Sequence, residues 1–223
     1  MEGKGKLARY IHYTMAVVGG FIAAYAILNR NGLLANAQTM NLLTLLLSVL
    51  GRNPRDVLIH TGALLLYIFG TSLTVIIMKK TAADILLVSI IIDCCAVLIL
   101  GFLPSNMNEV IALYPIFFAM SVQWNAFKGV DGYISSSIFS TNNVKQLSIS
   151  FTEFLIDHDK SHLDRVGFYG SVLLSFHIGA ILSYFSYQVF GIRGAWICFI
   201  PLYAALCLTV CDHLLREKSP EQA

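Results

Sequence analysis

An all-helical integral membrane protein is the fold class this sequence predicts, and three observations predict it. The 223 residues are 57% hydrophobic and only 13% charged, where a soluble domain carries about a quarter charged residues. Mean hydropathy is +0.70. The apolar residues form eight continuous runs, at roughly 10–28, 33–50, 57–78, 85–103, 110–127, 134–156, 166–190 and 195–215, most of them near the ~20 residues a helix needs to span hydrocarbon. Lipid leaves helices as the expected form, because each backbone polar group must be satisfied internally. A β-barrel would show strict alternation over short segments instead.

The first run follows Lys4, Lys6 and Arg9. It is too long for the core of a signal peptide, and Asn29-Arg30-Asn31-Gly32 separates it from the cleavage-like Ala35-Asn36-Ala37. It reads as a retained span that starts in the cytoplasm. The second run is apolar, yet it carries Asn36, Gln38, Thr39 and Asn41 in its first half. Asn53-Pro54 and Leu103-Pro104 mark helix boundaries, since the residue before proline avoids the α region. Thr81–Asp84 and Ser161–Asp164 have the spacing of capping boxes ahead of the fourth and seventh runs. Asn31-Gly32 and Asp131-Gly132 are turn dipeptides. Pro115 and Pro201 fall inside apolar runs and predict kinks.

The second four runs echo the first four, which predicts one membrane domain over 1–223 with internal repeats at about 10–103 and 110–215. Thr39-Met40-Asn41 corresponds to Thr141-Asn142-Asn143, each after a turn dipeptide. Spaced glycines follow in both halves, Gly62 and Gly70, then Gly170 and Gly179, where close helix approach is expected. The count of crossings comes from the positive-inside rule. Eight crossings would put nine basic residues inside and five outside; six would put eleven inside and four outside. The reading is therefore about six transmembrane helices in two three-crossing inverted repeats, with both termini on the cytoplasmic face of the cell membrane. Each repeat then carries an extra polar re-entrant or broken-helix segment, a plan shared with secondary transporters.

With these segments in view, the chain resembles the YoaK family of bacterial multi-pass membrane proteins, whose function is unknown. Gly20-Phe21-Ile22-Ala23 has the family's glycine–aromatic pair, with Ala where the family often has Asp. Thr39-Met40-Asn41 keeps the flanks of its Thr-Gly-Asn motif, as does Thr141-Asn142-Asn143. Gln123 and Asn125 sit where the family has a Gln-Asn stretch. The resemblance implies six spans and supplies no activity.

Candidate chemistry is concentrated in a few places. Asp93, in the middle of LLVSIIIDCCAVLIL, costs roughly 2.5–3.5 kcal/mol on insertion scales, so it reads as a proton or cation site, or as an acid bonded to a neighbour for packing. His177 lies deep in the seventh run, either as an ion-coupling partner or as a neutral core histidine. The largest polar set is Asn36, Gln38, Thr39, Asn41, Gln123, Asn125, Thr141, Asn142 and Asn143. These read either as donors and acceptors for a small polar solute or as hydrogen-bonding glue between helices. Arg30 reads as marking the water boundary. The DHDKSHLDR loop reads as solvated, with Asp164 as a helix cap. No metal, cofactor, nucleic-acid partner or enzyme activity is expected: hydrolase, zinc-protease and nucleotide-binding motifs are missing. The expected function is small-solute transport between inverted repeats, with Asp93 available for proton coupling. A non-transporting scaffold, sensor or assembly partner is the alternative. The chain is small for a transporter monomer, so a homo-oligomer is one expected arrangement.

Overall fold

A computed structural model describes residues 2–30 and 32–217, with side chains over 7–30 and 32–215. Asn31 of the first turn dipeptide and Lys218 of the charge count lie outside the described residues. The helices are α1 (Glu2–Asn29), α2 (Thr39–Leu50), α3 (Pro54–Lys80), α4 (Ile85–Leu100), α5 (Glu109–Ala112), α6 (Tyr114–Ala126), α7 (Thr141–Asp157), α8 (Ser161–Phe190) and α9 (Phe199–Glu217). A 3₁₀ segment, Gly191–Cys198, joins the last two. The exception to helix is a small hairpin of β1 (Gly129–Val130) and β2 (Tyr133–Ile134), with Gly129 opposite Ile134. Its turn residues Asp131 and Gly132 both have positive φ, 54° and 79°, the geometry that favours Asp-Gly in two-residue hairpins.

Three helical stretches are long and apolar enough to cross a membrane: Leu7–Asn29, Pro54–Lys80 and Ser161–Leu215, the last containing α8, the 3₁₀ segment and α9. Large apolar side chains face outward all along them, among them Leu58, Leu65, Phe69, Phe185 and Val189. A soluble protein rarely exposes so much contiguous apolar surface; a membrane protein does so toward lipid.

Contacts at the two ends give the helix directions. At one end Arg9 of α1 meets Asp131 and Asp164, and His213 near the end of α9 pairs with Asp84 at the start of α4. At the other end Tyr25 reaches the carbonyls of Leu100 and Ile192, and Tyr114 donates to the carbonyl of Ile59. Thus α1, α4 and α8 run one way, and α3, α6 and α9 run back. The packing partners form two units. In one, α6 packs on α3 and α4, and α2 lies on α3; in the other, α1 packs on α8 and α9, and α7 lies on α8. The first unit is continuous in sequence from α2 to α6. The second takes α1 from the N-terminal side of the chain.

Glycine sets the two tightest crossings. A Cβ on Gly20 would collide with the Phe176 backbone of α8, and one on Gly179 with the Val17 carbonyl of α1. Gly70 on α3 is pressed in the same way against Phe118 and Ser121 of α6, and Gly62 lies under the Tyr114 ring. Gly170 has open space around it, so it does not share the role expected of the spaced glycines.

Several local readings change. Pro115 stands in the first turn of α6 and Pro201 in the first turn of α9; both start helices rather than kink them, since a first-turn residue has no intrahelical N–H bond to lose. Asp84 is itself the N-cap of α4, accepting from the Leu86 N–H. Asp164 does not cap α8: Asp159 accepts from the Ser161 N–H and hydroxyl, which holds the Asp159 carboxyl below its ordinary pKa. Arg30 is buried, 1% exposed, and donates to the carbonyls of Pro104 and Ser105, tying the end of α1 to the loop after α4.

The crossing geometry predicts that Gly20→Val or Gly179→Val costs about 3 kcal/mol through overpacking. This is read as a lowered melting temperature of the detergent-solubilised protein. Gly170→Ala leaves the melting temperature unchanged or raises it, because alanine is the better helix former where nothing is displaced.

Candidate functional site

Two stretches that are neither helix nor strand enter the bundle from opposite ends. Residues 32–38 turn in before α2 begins, and residues 135–140 follow the hairpin before α7 begins. They meet in the interior. Asn36, fully buried, donates through Nδ2 to the Gly19 carbonyl of α1 at 3.2 Å and to the Ile138 carbonyl at 3.1 Å. Gln123 of α6, also fully buried, donates through Nε2 to the Met15 carbonyl and the Ser137 hydroxyl, each at 3.0 Å. Met15 and Gly19 are one turn apart on α1, so the two amides sit in register along one helix face. Gly19 permits this approach: a Cβ there would strike the Ser137 carbonyl. Among the described residues the buried side-chain oxygens of Asn36 and Gln123 have no hydrogen-bond partner.

A second pair of asparagines anchors the starts of the short helices. Asn41 donates to the His60 carbonyl at 3.0 Å and to Gln38 Oε1 at 2.9 Å, while its Oδ1 lies 2.7 Å from His60 Nδ1. Asn143 donates to the carbonyls of Ser136 and Phe139 and accepts from the Ser135 hydroxyl. Within α2 and α7 one further polar position repeats at the same 102-residue spacing as Thr39/Thr141 and Asn41/Asn143, namely Ser48 and Ser150. The buried residues of α2 are Asn41 and Ser48; those of α7 are Asn143 and Ser150. Both helices turn a polar stripe inward and Leu, Ile or Val outward. The serine pair was readable from the sequence as a Thr-x-Asn-x₆-Ser repeat.

The predicted solute-site residues therefore divide. Asn36, Asn41, Gln123 and Asn143 hold backbone in place, and Gln38 supports Asn41. Thr39 and Thr141 are exposed. Asn125 and Asn142 line a pocket of about 580 Å³ together with Trp124, Lys128, Ser135, Ser136 and Phe139. A second pocket, about 360 Å³, opens at the end of the bundle that holds the start of α1 and the end of α9. Ala8, His12, Leu86, Asp131 and Asp212 are among its lining residues. His12 is buried against the Ser135 hydroxyl at 3.0 Å.

Asp93 stands apart from the amides. It is 0% exposed on α4, and among the described residues neither carboxylate oxygen has a hydrogen-bond partner. The hydroxyl of Ser89, one turn before it, is likewise unpartnered. Leu86 at the wall of the second pocket, then Ser89 and Asp93, fall on one face of α4. His177 does not join this acid. It is exposed on the outer surface of α8, bonded within its own helix to the Leu173 carbonyl at 2.7 Å. Of the two ion-coupling candidates read from the sequence, Asp93 is buried in the bundle and His177 is not.

Where the second pocket meets the water-facing end, Arg9 makes a latch. Its guanidinium bonds Asp131 at 2.6 Å and grips both Asp164 oxygens at 2.8 and 2.7 Å. Its plane lies 5.8 Å from the ring centroids of Tyr133 and Phe168. This joins α1, the hairpin turn and α8.

A family model described as a protein of unknown function, DUF1275, matches residues 11–210. The chain belongs to the DUF1275 family. This agrees with the resemblance to the YoaK family, and it makes the geometry above the main source of a functional reading for this DUF1275 protein. No curated protein and no solved structure matches the chain.

The packing of Asn36 predicts that Asn36→Ala destabilises this DUF1275 protein by about 1–3 kcal/mol, since two buried carbonyls lose their donor. Asn142→Ala, at a pocket wall with a single 3.3 Å bond to the Ile134 carbonyl, costs well under about 1 kcal/mol. Denaturant or thermal melts of the two variants in detergent check the contrast.

Proposed function

We propose that this protein is a small-solute membrane transporter of six crossings, α1, α3, α4, α6, α8 and α9. On this reading residues 10–103 and 110–215 are inverted repeats, with α2 and α7 as re-entrant helices that return to the side they came from. The alternating helix directions support the inversion: α2 leaves and rejoins one end of the bundle, α7 the other. Both termini then lie in the cytoplasm, since Arg9, Lys79, Lys80, Lys128 and Arg165 gather at their end.

The observation that carries the reading is Asp93. A carboxyl enclosed in an apolar core with neither oxygen bonded costs several kcal/mol as a charge and far less as a neutral acid. Structural acids in such places are normally held by donors; this one is a site that a proton can load. The pocket walled by Leu86 on the same helix face is the nearest route for that proton from the cytoplasmic end. A solute would reach the acid by the same route, and rocking of one packing unit against the other would expose the acid to each side in turn. Exposed apolar faces on α2, α3 and α8 would meet lipid or a second copy of the chain.

A second reading has its own support. The four amides bound to backbone behave as a rigid lock, which suits a non-transporting scaffold. The two readings diverge at Asp93. Asp93→Asn should insert and melt like the wild type, yet proteoliposomes carrying it should lose solute-dependent proton movement, followed with an entrapped pH dye across a solute panel. Dye traces that stay flat for the wild type with every solute, while ligand-dependent thermal shifts are also absent, would favour the scaffold.

A further inference from the structure

We propose that the pocket between α6 and α7 is a binding site for an anionic phospholipid of the leaflet that faces the chain termini. It rests on the orientation proposed above, with the termini in the cytoplasm, and not on solute transport.

The pocket holds about 580 Å³ and is lined by Trp124, Asn125, Lys128, Ser135, Phe139 and Asn142, among others, a volume in the range of ligand sites. Its chemistry is graded. Lys128 follows the end of α6 and is exposed, with no carboxylate within ion-pair distance among the described residues. No acid lines the pocket; the nearby Asp131 is already held by Arg9. One cation without a partner, in a cleft free of acids, selects an anion. The polar groups beside it are neutral hydrogen-bonding side chains suited to the ester and glycerol oxygens of a headgroup.

The rest of the lining says what kind of anion. Trp124 is 44% exposed and Ile134 76% exposed, so this side of the pocket reaches the protein surface. The Trp124 ring meets Phe139 edge to face, with centroids 5.2 Å apart, so the wall is aromatic. A small soluble anion would leave this apolar wall uncovered; an acyl chain would cover it. Tryptophan and lysine at a helix end are also the side chains that favour the interface, and the cytoplasmic leaflet is the one rich in anionic lipid.

The chain has two tryptophans, and Trp196 lies at the opposite end against Phe102. Trp196→Phe therefore leaves Trp124 as the only indole, a reporter inside the proposed site. The full-length variant is placed in phosphatidylcholine vesicles doped with either brominated phosphatidylglycerol or brominated phosphatidylcholine at equal mole fraction. The expected result is at least twofold stronger quenching by the brominated phosphatidylglycerol. Lys128→Gln should bring the two lipids to equality, and Lys79→Gln, an exposed lysine outside the pocket, should leave the preference intact. Equal quenching in the unsubstituted Lys128 protein overturns the proposal. So does displacement of the brominated phosphatidylglycerol by millimolar glycerol 3-phosphate, which would show a site for a soluble anion. Should Trp196→Phe fail to fold, native mass spectrometry of the wild type and Lys128→Gln decides the same question. Retained phosphatidylglycerol adducts that vanish in Lys128→Gln support the site, and adducts equal in the two proteins overturn it.

Discussion

Backbone that is neither helical nor paired needs hydrogen-bond partners, and in an apolar bundle water is not there to provide them. Residues 32–38 and 135–140 are in that position, and most of the interior follows from how they are satisfied. Asn36 spends both amide hydrogens on carbonyls, one from α1 and one from the opposite segment. Gln123 does the same work one turn away, reaching α1 and Ser137. Because both amides reach carbonyls of α1, that helix must be bare where they approach. Gly19 and Gly20 provide this, one toward the 137–138 backbone and the other toward α8. Most of α1 is thus covered, while α3 and α8 keep broad outer faces for lipid.

Helices α2 and α7 show the same solution used at each end. Near its start each has an asparagine that bonds backbone, Asn41 to the His60 carbonyl of α3 and Asn143 to the segment before α7, and each carries a buried serine seven residues later. Their other faces are apolar and exposed. This is the reverse of a soluble amphipathic helix, where the apolar stripe is the buried one. At 12 residues α2 is about 18 Å long, too short to cross hydrocarbon alone, which suits a segment that enters and leaves on one side.

Much of this was legible in the residues because it is set by local chemistry. Continuous apolar runs gave the helices, Asp131-Gly132 gave the hairpin turn, and the polar cluster in Leu33–Leu50 marked a segment sheltered from lipid. What the sequence could not tell is whom a buried amide bonds. Asparagine serves a solute and a backbone carbonyl through the same atoms, and only the fold brought Gly19 and Ile138 to Asn36. Asp164 had the spacing of a cap, but Arg9, 155 residues away, claimed it. His177 could have been placed from its own helix. It stands two residues before Gly179, so at about 100° per residue it points nearly opposite the face that packs on α1. The same rule puts Ser89, Asp93 and Val97 on one side of α4, where all three are buried.

The two packing units give the polar segments a further meaning. The unit of α2 to α6 and the unit of α1 with α7 to α9 are joined by two covalent connections, one before α2 and one over residues 127–140. These connections touch each other through Asn36 and Ile138. Any motion of one unit against the other must therefore bend the segments whose tips form the amide lock. Helices packed through glycine, such as α1 on α8, move together, since close contact tolerates little shear. The helix contacts left to slide are those of α4, which carries Asp93, with α9 and the 3₁₀ segment. The orphan oxygens of Asn36 and Gln123 fit this arrangement, for an amide that has used only its hydrogens can exchange partners without leaving water-free surroundings. On the transport reading, lock and acid are then two parts of one joint: the first limits how far the units turn, and the second is what the turn uncovers.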